Sequence, residues 1–292
     1  MRFAKYHGLG NDFVVVDLRT ASAADAAAIQ DPANVVAVCD RQFGIGGDGV
    51  LAILPSNAGD DARMRVLNSD GSEAEMCGNG LRCVVKELHD RGGVNKDEMA
   101  IDTGAGRLVC TIQPDGVTVS MGAPRLLRGE IPMVGPIGER CTEQPIEIAN
   151  QPTRTITCVS MGNPHAITFV GSRDEAYQLA TSVGPSVERH AYFPRRTNAE
   201  FAFVKSRQEI DLVVWERGAG LTLACGTGAC ATVVAAILTG RCDEGTPVKV
   251  NLPGGSLTIR VMPELANVKM HGPAALVFDG ELDLAKLARR PS

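Results

Sequence analysis

The chain of 292 residues is long enough to bury a substantial core and most naturally forms two domains. Hydrophobic residues make up 44% and charged residues 22%, as in an ordinary soluble globular protein. The net charge of −5 comes without a basic block, which argues against a nucleic-acid partner. Small polar metabolites are therefore the expected partners.

The start of the chain and its cysteines exclude further classes. Residues 1–7 read as a short alternating strand rather than a leader, and no run approaches the roughly 20 apolar residues of a membrane span. We therefore predict a cytoplasmic protein with no membrane partner. The nine cysteines show no Cys-x-x-Cys spacing, so neither a disulfide framework nor a metal site is predicted. Several are predicted to be small buried side chains: Cys39, Cys110, Cys141, Cys158 and Cys242.

Apolar patterns predict the elements of the first half of the chain. Strands are predicted at 2–6, 12–17, 50–54, 64–68, 99–102, 108–112 and 117–121, and helices at 21–29, 34–40 and 81–88. The segment 44–49 has the G-x-G-x-x-G spacing of a dinucleotide site. A strand rather than a helix follows it, so we interpret it as a tight turn that delivers a strand.

The second half repeats this pattern after a Gly- and Pro-containing stretch, 122–144, that predicts a domain crossing. Strands are predicted at 146–148, 155–160, 166–170, 199–204, 211–215, 248–252, 257–262, 268–270 and 276–278, and helices at 173–180 and 229–238. Many short strands with one strongly apolar helix per half favour a mostly antiparallel sheet curled around a central helix over a doubly wound parallel sheet.

A Cys-Gly-polar-Gly turn that runs into an apolar helical segment occurs twice. The two cysteines, Cys77 and Cys225, stand 225 − 77 = 148 residues apart, about half the chain. Asn68 and Glu216 each lie nine residues before their cysteine. The repeat predicts an α/β fold of two pseudo-symmetric domains, formed by residues 1–121 with 273–292 and by residues 122–272.

Each repeated turn places a thiol at the start of a helix. A helix start carries unpaired N–H groups and about half a positive charge, so it stabilises an anion and is expected to lower a cysteine pKa from about 8.5 towards neutrality. If the two halves face each other, one sulfur can remove the proton of a carbon next to a carboxylate while the other returns a proton to the opposite face. The sequence therefore predicts inversion of an α-carbon by two thiols.

The chain resembles diaminopimelate epimerases in motifs that run from residue 1 to about 280. These motifs are Gly8-Leu9-Gly10-Asn11-Asp12-Phe13, Asn68-Ser69-Asp70-Gly71-Ser72, Met76-Cys77-Gly78-Asn79-Gly80, Gly162-Asn163-Pro164-His165, Trp215-Glu216-Arg217-Gly218-Ala219-Gly220 and Ala224-Cys225-Gly226-Thr227-Gly228-Ala229-Cys230. The resemblance implies a homodimeric enzyme that needs no cofactor and converts LL- to meso-diaminopimelate for lysine and peptidoglycan synthesis. It also implies two related α/β domains with the last strand returning to the first.

The resemblance assigns roles to residues that match the family's motifs. Cys77 and Cys225 are the implied acid/base pair, with His165 near the thiols and Glu216 binding the α-ammonium group. The amides of Gly78, Asn79, Gly226 and Thr227 are implied to hold the reacting carboxylate, and the distal end of the substrate is assigned to Asn11, Asn68, Asn163, Asn198 and Arg217. One departure is Gly49, where some members carry Gln, so a side-chain contact from this position is missing or made by another group.

Several residues also have structural interpretations. Cys83 and Cys230 are expected to face the core, and His165 could be a hydrogen-bonded structural histidine. Glu216 and Arg217 could form an exposed pair at a strand end, while Asn68 and Asn198 could close turns on their own backbone.

Three other functions stay open from the sequence. A thiol hydrolase could use Cys225 activated by His165. A redox-sensing protein could pair Cys77 with Cys225. A proline racemase-like enzyme is also possible, although Asn79, where those enzymes carry His, and the Asn11-Asp12-Phe13 opening argue against it.

Overall fold

A computed structural model describes residues 1–56 and 58–287, and the chain forms two compact units. The first unit is Met1–Val119 together with the chain from Gly272 onward, and the second is Ser120–His271. The domain boundaries predicted from the sequence, after residue 121 and before residue 273, stay a prediction. Residues 288–292 of the predicted first domain lie outside the described residues.

Short strands dominate the described part of the chain. In the first half they are β1 (Arg2–Gly8), β2 (Asn11–Asp17), β3 (Gly49–Leu54), β4 (Ala62–Asn68), β5 (Glu73–Ala74), β6 (Glu98–Thr103), β7 (Gly106–Gln113) and β8 (Gly116–Ser120). In the second half they are β9 (Gln144–Ile146), β10 (Arg154–Ser160), β11 (Pro164–Val170), β12 (Asn198–Ser206), β13 (Glu209–Glu216), β14 (Gly220–Leu221), β15 (Val248–Leu252), β16 (Gly255–Val261), β17 (Val268–Gly272) and β18 (Ala275–Glu281).

Most of the α-helices begin at a residue whose polar side chain or thiol caps them. They are α1 (Ala23–Ile29), α2 (Pro32–Cys39), α3 (Gly78–Asp90), α4 (Arg173–Ser182), α5 (Gly184–Glu188) and α6 (Gly226–Leu238), with 3-10 turns at Pro263–Leu265 and Leu284–Lys286. Ser22 accepts a hydrogen bond from the Asp25 N–H, so α1 begins two residues later than predicted. Asp31 caps α2 and Pro32 takes its first position, so α2 begins two residues earlier than predicted.

The two units share one order of strand pairing. In the first unit β1–β2 is antiparallel, β2–β3 parallel, β3–β4 antiparallel, β4–β6 parallel and β6–β7 antiparallel. The second unit repeats this order in β10–β11, β11–β12, β12–β13, β13–β15 and β15–β16. Helices connect the strands of each parallel pair: α1 with α2, and α3, in the first unit, and α4 with α5, and α6, in the second. The predicted α/β class with two pseudo-symmetric domains is confirmed.

The sheet of the first unit is covered by helices on both faces. Val50 and Ala52 of β3 cluster with Val35 of α2, while a Cβ built at Gly80 of α3 would lie 3.0 Å from the Leu51 side chain. Successive residues of a strand point to opposite faces, so α2 and α3 pack on opposite sides of β3. The C-terminal strand β18 pairs antiparallel with β1, so the chain returns to the first unit as the resemblance implies.

The second unit is built in the same way around α6. From Gly228 to Ala236 every residue of α6 is buried, and the helix packs against β10, β11, β12 and β16. Helix α4 packs on β12 and β13 with Ala176 and Leu179 in the core. A helix that is apolar on most faces needs burial on most sides, which the surrounding strands provide.

The glycine-rich segment 44–49 is a tight turn before a strand, as predicted. The N–H groups of Ile45 and Gly46 donate to the Val38 carbonyl, and β3 begins at Gly49. A Cβ built at Gly49 would lie 2.5 Å from the Leu67 carbonyl oxygen. A side chain here would require the backbone to shift, and since residue 49 is glycine, no side-chain contact comes from this position.

Candidate active site

The two motif cysteines cap the two central helices. Cys77 has an extended backbone, and its Sγ accepts a hydrogen bond from the Gly80 N–H at 3.5 Å. Cys225 is also extended and accepts from the Gly228 N–H at 3.4 Å. The predicted thiols at helix starts are therefore found in both units, while their chemical role stays a prediction.

The residues after each cysteine form the first turn of the helix. Gly78 and Asn79 open α3, and Gly226 and Thr227 open α6. N–H groups of a first helical turn lack intrahelical acceptors and point along the axis, so they suit an anionic group. A Cβ built at Gly228 would lie 3.0 Å from Glu200 Oε1 and 3.2 Å from Cys225 Sγ, so only glycine fits without moving these groups.

In the first unit, two of the predicted binding residues lie beside the thiol. Cys77 Sγ lies 3.7 Å from Asn11 Oδ1, which also accepts from Asn79 Nδ2 at 3.3 Å. Asn68 ends β4, and its Nδ2 donates to Ser72 Oγ at 2.9 Å across the following loop. This contact agrees with the loop-closing interpretation of Asn68, and its role in binding stays a prediction.

Asp48 is a residue of this site that sequence reasoning missed. Its Oδ2 accepts from Asn11 Nδ2 at 2.6 Å and from the Asp12 N–H at 3.0 Å. Its Oδ1 pairs with Arg41 Nη2 at 2.8 Å. The aspartate stands inside a glycine-rich turn, where a carboxylate reads as an ordinary turn residue, so no local signal singles it out.

In the second unit, His165 is fully buried and both ring nitrogens have partners. Nδ1 lies 2.6 Å from Glu200 Oε1, and Nε2 lies 2.9 Å from Asn163 Oδ1. Asn198 Nδ2 lies 3.3 Å from the same Nδ1, and its Oδ1 accepts from the Arg217 N–H at 2.8 Å. The structure thus brings together the predicted residues His165, Asn163 and Asn198 in one polar cluster.

Glu200 is the second residue that sequence reasoning missed. It is fully buried on β12, and its Oε2 has no hydrogen-bond partner among the described residues. A charged residue in the apolar strand Ala199-Glu200-Phe201-Ala202 was the available signal, since an unpaired carboxylate is seldom buried.

Glu216 and Arg217 lie at the end of β13 with different surroundings. Glu216 is half-buried, and its Oε1 accepts from Thr222 Oγ1 at 2.6 Å. The Arg217 side chain is exposed and donates to the Arg195 carbonyl at 3.3 Å. Both residues therefore flank the loop that leads to Cys225.

The environment of Cys225 corrects the expectation of an acidic thiol. Burial raises the pKa of Cys225 well above its usual value, and the carboxylates of Glu216 and Glu200 raise it further. Hydrogen bonds from Thr227 and from the Gly228 N–H lower the pKa but do not compensate. The predicted pKa near neutrality is wrong for Cys225, because charges from other strands and desolvation outweigh the helix field.

This environment predicts how Cys225 reacts with iodoacetamide. The reaction at pH 7 is expected to be slow and to become faster as the pH rises, because the thiolate is the nucleophile and this environment disfavours it. Glu216→Gln removes a carboxylate beside the sulfur and is expected to increase the rate at pH 8 by about three- to tenfold. Peptide mass spectrometry of Cys225 measures the rate. The matched control is Glu209→Gln, an exposed carboxylate of the same strand, and an equal increase in that variant would contradict the account.

The geometry removes support from the hydrolase alternative. That function needs a hydrogen bond between Cys225 and His165. Within the described residues, the partners of Cys225 Sγ are Thr227 and Gly228, while both nitrogens of His165 face Glu200, Asn163 and Asn198.

The remaining cysteines are buried, as predicted. Cys83 and Cys230 are fully buried on α3 and α6, and Cys39, Cys110, Cys141, Cys158 and Cys242 are buried elsewhere. Across residues 1–56 and 58–287, no helix is long and apolar enough to span a membrane. No cluster of three or more His, Cys, Asp or Glu in that same part of the chain is arranged to hold a metal ion.

The family profile and the curated relatives that match this chain carry the same description. The profile of a family described as diaminopimelate epimerase matches residues 3–127 and 157–277, which span both cysteine motifs. A diaminopimelate epimerase 1 of Nostoc sp. is 51% identical over 97% of this chain and 99% of its own. A diaminopimelate epimerase of Synechocystis sp. is 48% identical over the same shares. The solved structure of a probable proline racemase from Agrobacterium radiobacter has a TM-score of 0.68 over 97% of this chain and 93% of its own; at 15% identity it shows the fold alone.

Proposed function

The chain belongs to the diaminopimelate epimerase family, and we propose that it interconverts LL- and meso-diaminopimelate by proton transfer between two cysteines and one α-carbon. The observation that carries this proposal is the repeated helix start. Cys77 and Cys225 each cap an apolar helix whose first turn is Gly-polar-Gly. A cysteine sulfur and the backbone N–H groups of a helix start therefore occur together twice.

The proposed reaction divides between the two thiols. One sulfur, as thiolate, removes the α-proton, and the other, as thiol, returns a proton to the opposite face of the same carbon. The α-proton of an amino acid is very weakly acidic, so N–H groups of both helix starts stabilise the carbanion that develops, which can contribute several kcal/mol. Proton transfer by the cysteines contributes a further factor of about 10² to 10⁴. The two sulfurs exchange roles when the reaction runs backwards.

The remaining site residues are proposed to hold the substrate. Glu216 takes the α-ammonium group, and its half-buried position beside Thr222 supports a charge-assisted hydrogen bond. Backbone N–H groups of Gly78, Asn79, Gly226 and Thr227 hold the reacting carboxylate. The distal amino-acid end contacts Asn11, Asn68, Asn163, Asn198 and Arg217. His165 belongs to the site through its hydrogen bonds with Asn163 and Asn198.

The setting of the enzyme is proposed from the same family membership. The reaction needs no organic cofactor such as pyridoxal phosphate, takes place in the cytoplasm, and supplies lysine and peptidoglycan precursors. We also propose a homodimer. Strand β18 supports this, since Leu276, Val277 and Phe278 are 45%, 56% and 47% exposed and an apolar surface of this kind suits a second copy of the chain. Analytical ultracentrifugation tests the dimer.

A chiral assay of the purified protein tests the proposed reaction. Reduced protein without added cofactor is incubated with LL-diaminopimelate, proline or lysine, and the stereoisomers are separated. We expect meso-diaminopimelate to form from the LL isomer, with proline and lysine unchanged. Turnover of proline alone would favour a proline racemase-like enzyme. No turnover of any substrate would contradict the proposal.

A further inference from the structure

The side chain of Asn11 lies between the Cys77 thiol and a carboxylate. Its Nδ2 donates to Asp48 Oδ2 at 2.6 Å, and its Oδ1 lies 3.7 Å from Cys77 Sγ. A primary amide can be turned by 180° without changing its shape, so which atom faces the sulfur depends on its partners.

Asp48 fixes the direction of this amide. An ionised carboxylate accepts hydrogen bonds and has none to give, so the atom of Asn11 that faces it must be the NH₂ group. The oxygen of Asn11 is then left facing Cys77. Asp48 is itself held in place, because its carboxylate also accepts from the Asp12 N–H and pairs with Arg41.

Arg82 fixes the direction of the neighbouring Asn79 amide in the same way. Arg82 is fully buried on α3, and its Nη2 donates to Asn79 Oδ1 at 3.1 Å. A guanidinium group has donors and no acceptor, so the NH₂ group of Asn79 must point away from it. That group donates to Asn11 Oδ1 at 3.3 Å. Two amides in series are thus oriented by a cation at one end and an anion at the other.

We propose that Asp48 is a positioning residue for Cys77: by holding the Asn11 amide with its oxygen towards the sulfur, it stabilises the thiol form and disfavours the thiolate. An amide oxygen accepts from S–H, whereas a reversed amide would donate its N–H to S⁻. The proposal rests on the acid/base role proposed for Cys77. Asp48 acts through Asn11, and none of its contacts needs the substrate.

The acidity of Cys77 tests this coupling. The rate of iodoacetamide alkylation at Cys77 is measured by peptide mass spectrometry from pH 6 to 10, in the reduced full-length protein without substrate. Asp48→Ala is expected to lower the apparent pKa of Cys77 by about one pH unit, the size of one hydrogen bond to a charged group. Asp48→Ser, with a hydroxyl too short to reach Asn11, is a second variant should the alanine protein not fold. Cys225 in the same samples is the internal reference.

Two further variants separate amide orientation from a simple change in charge. In an Asn11→Ala background, Asp48→Ala is expected to lower the pKa of Cys77 clearly less than in the wild-type background, because the lost charge still acts but no amide remains to turn. Arg41→Ala removes the ion pair between Arg41 and Asp48 but keeps the hydrogen bond between Asp48 and Asn11, so it is expected not to lower the pKa of Cys77. An equal downward shift in the Asn11→Ala background, or no shift in Asp48→Ala, would overturn the proposal.

This experiment has a readout independent of turnover. If the pKa of Cys77 does not shift in Asp48→Ala while the wild-type protein epimerises LL-diaminopimelate, the role of Asp48 is rejected and the proposed function stands. If the pKa of Cys77 shifts as expected but the wild-type protein does not act on LL-diaminopimelate, only the proposed function is rejected.

Discussion

Replacing either Cys77 or Cys225 with alanine is expected to lower kcat for epimerisation by about 10²- to 10⁴-fold, the contribution of one acid/base group. Binding of the substrate should change little, because the backbone donors at both helix starts are retained. Steady-state kinetics with LL-diaminopimelate measure kcat and KM for each variant. Equal loss in both variants is the signature of two thiols that serve one reaction.

Cys83→Ala is the matched control for Cys77→Ala. Cys77 caps the start of α3, whereas Cys83 lies within the same helix and is fully buried. Its replacement is expected to leave kcat near the wild-type value with a small loss of stability. Wild-type activity in Cys77→Ala would contradict the two-thiol mechanism. Activity on a thioester or amide that survives in Cys77→Ala and disappears in Cys225→Ala would instead support a thiol hydrolase.

Removing one partner of the buried pair formed by His165 and Glu200 is expected to destabilise the second unit strongly. Both side chains are fully buried and lie 2.6 Å apart, so removing one leaves the other without its partner in the core. His165→Ala and Glu200→Ala are each expected to lower the free energy of unfolding of the second unit by about 3–5 kcal/mol. The double variant should cost less than the sum, because it leaves neither group unpaired. Hydrogen exchange of the β11 and β12 amides measures these free energies.

An exposed pair of the same unit provides the control. Glu209 pairs with Lys205 at 2.8 Å at the surface, and Glu209→Ala is expected to change the free energy of unfolding much less than either buried variant, because solvent screens this pair. If His165→Ala lowers turnover but leaves hydrogen exchange unchanged, His165 acts in the chemistry and its structural role is wrong.

The features that follow local rules could be predicted from the sequence. The turn Cys225-Gly226-Thr227-Gly228 and its copy at Cys77 predict helix starts because capping and glycine conformations depend on neighbouring residues. The matched spacing of the motifs predicts two similar halves. The helices α3 and α6 were still placed three residues late, because two glycines in a first turn read as loop.

The features that depend on distant residues could not be predicted in this way. His165 meets Glu200 because β11 and β12 pair in parallel with His165 opposite Asn198, a register that no local pattern specifies. Burial raises the pKa of Cys225, and the carboxylates of Glu216 on β13 and Glu200 on β12 raise it further. The residues around the helix start indicate only the effects that lower the pKa of Cys225.

The packing of the stretch 122–144 could not be predicted from its composition. Its glycines and prolines predict a crossing between domains, which stays a prediction, but they do not indicate that Ile131 and Met133 are buried in the core of the second unit. Arg128 donates to the Val134 carbonyl at 3.0 Å and holds this segment together. A few apolar anchors and one arginine are enough to pack an irregular chain, and they are too sparse to form a periodic pattern.

Isotope transfer from solvent is the most direct measurement of the central claim that separate sulfurs remove and return the proton. The enzyme converts LL-diaminopimelate in deuterated water, and both isomers are analysed by mass spectrometry at low conversion. The account predicts one deuterium at an α-carbon of the meso product and none in the remaining LL substrate. A meso product that retains its original hydrogen, or deuterium that enters unconverted substrate as fast as product, would contradict it.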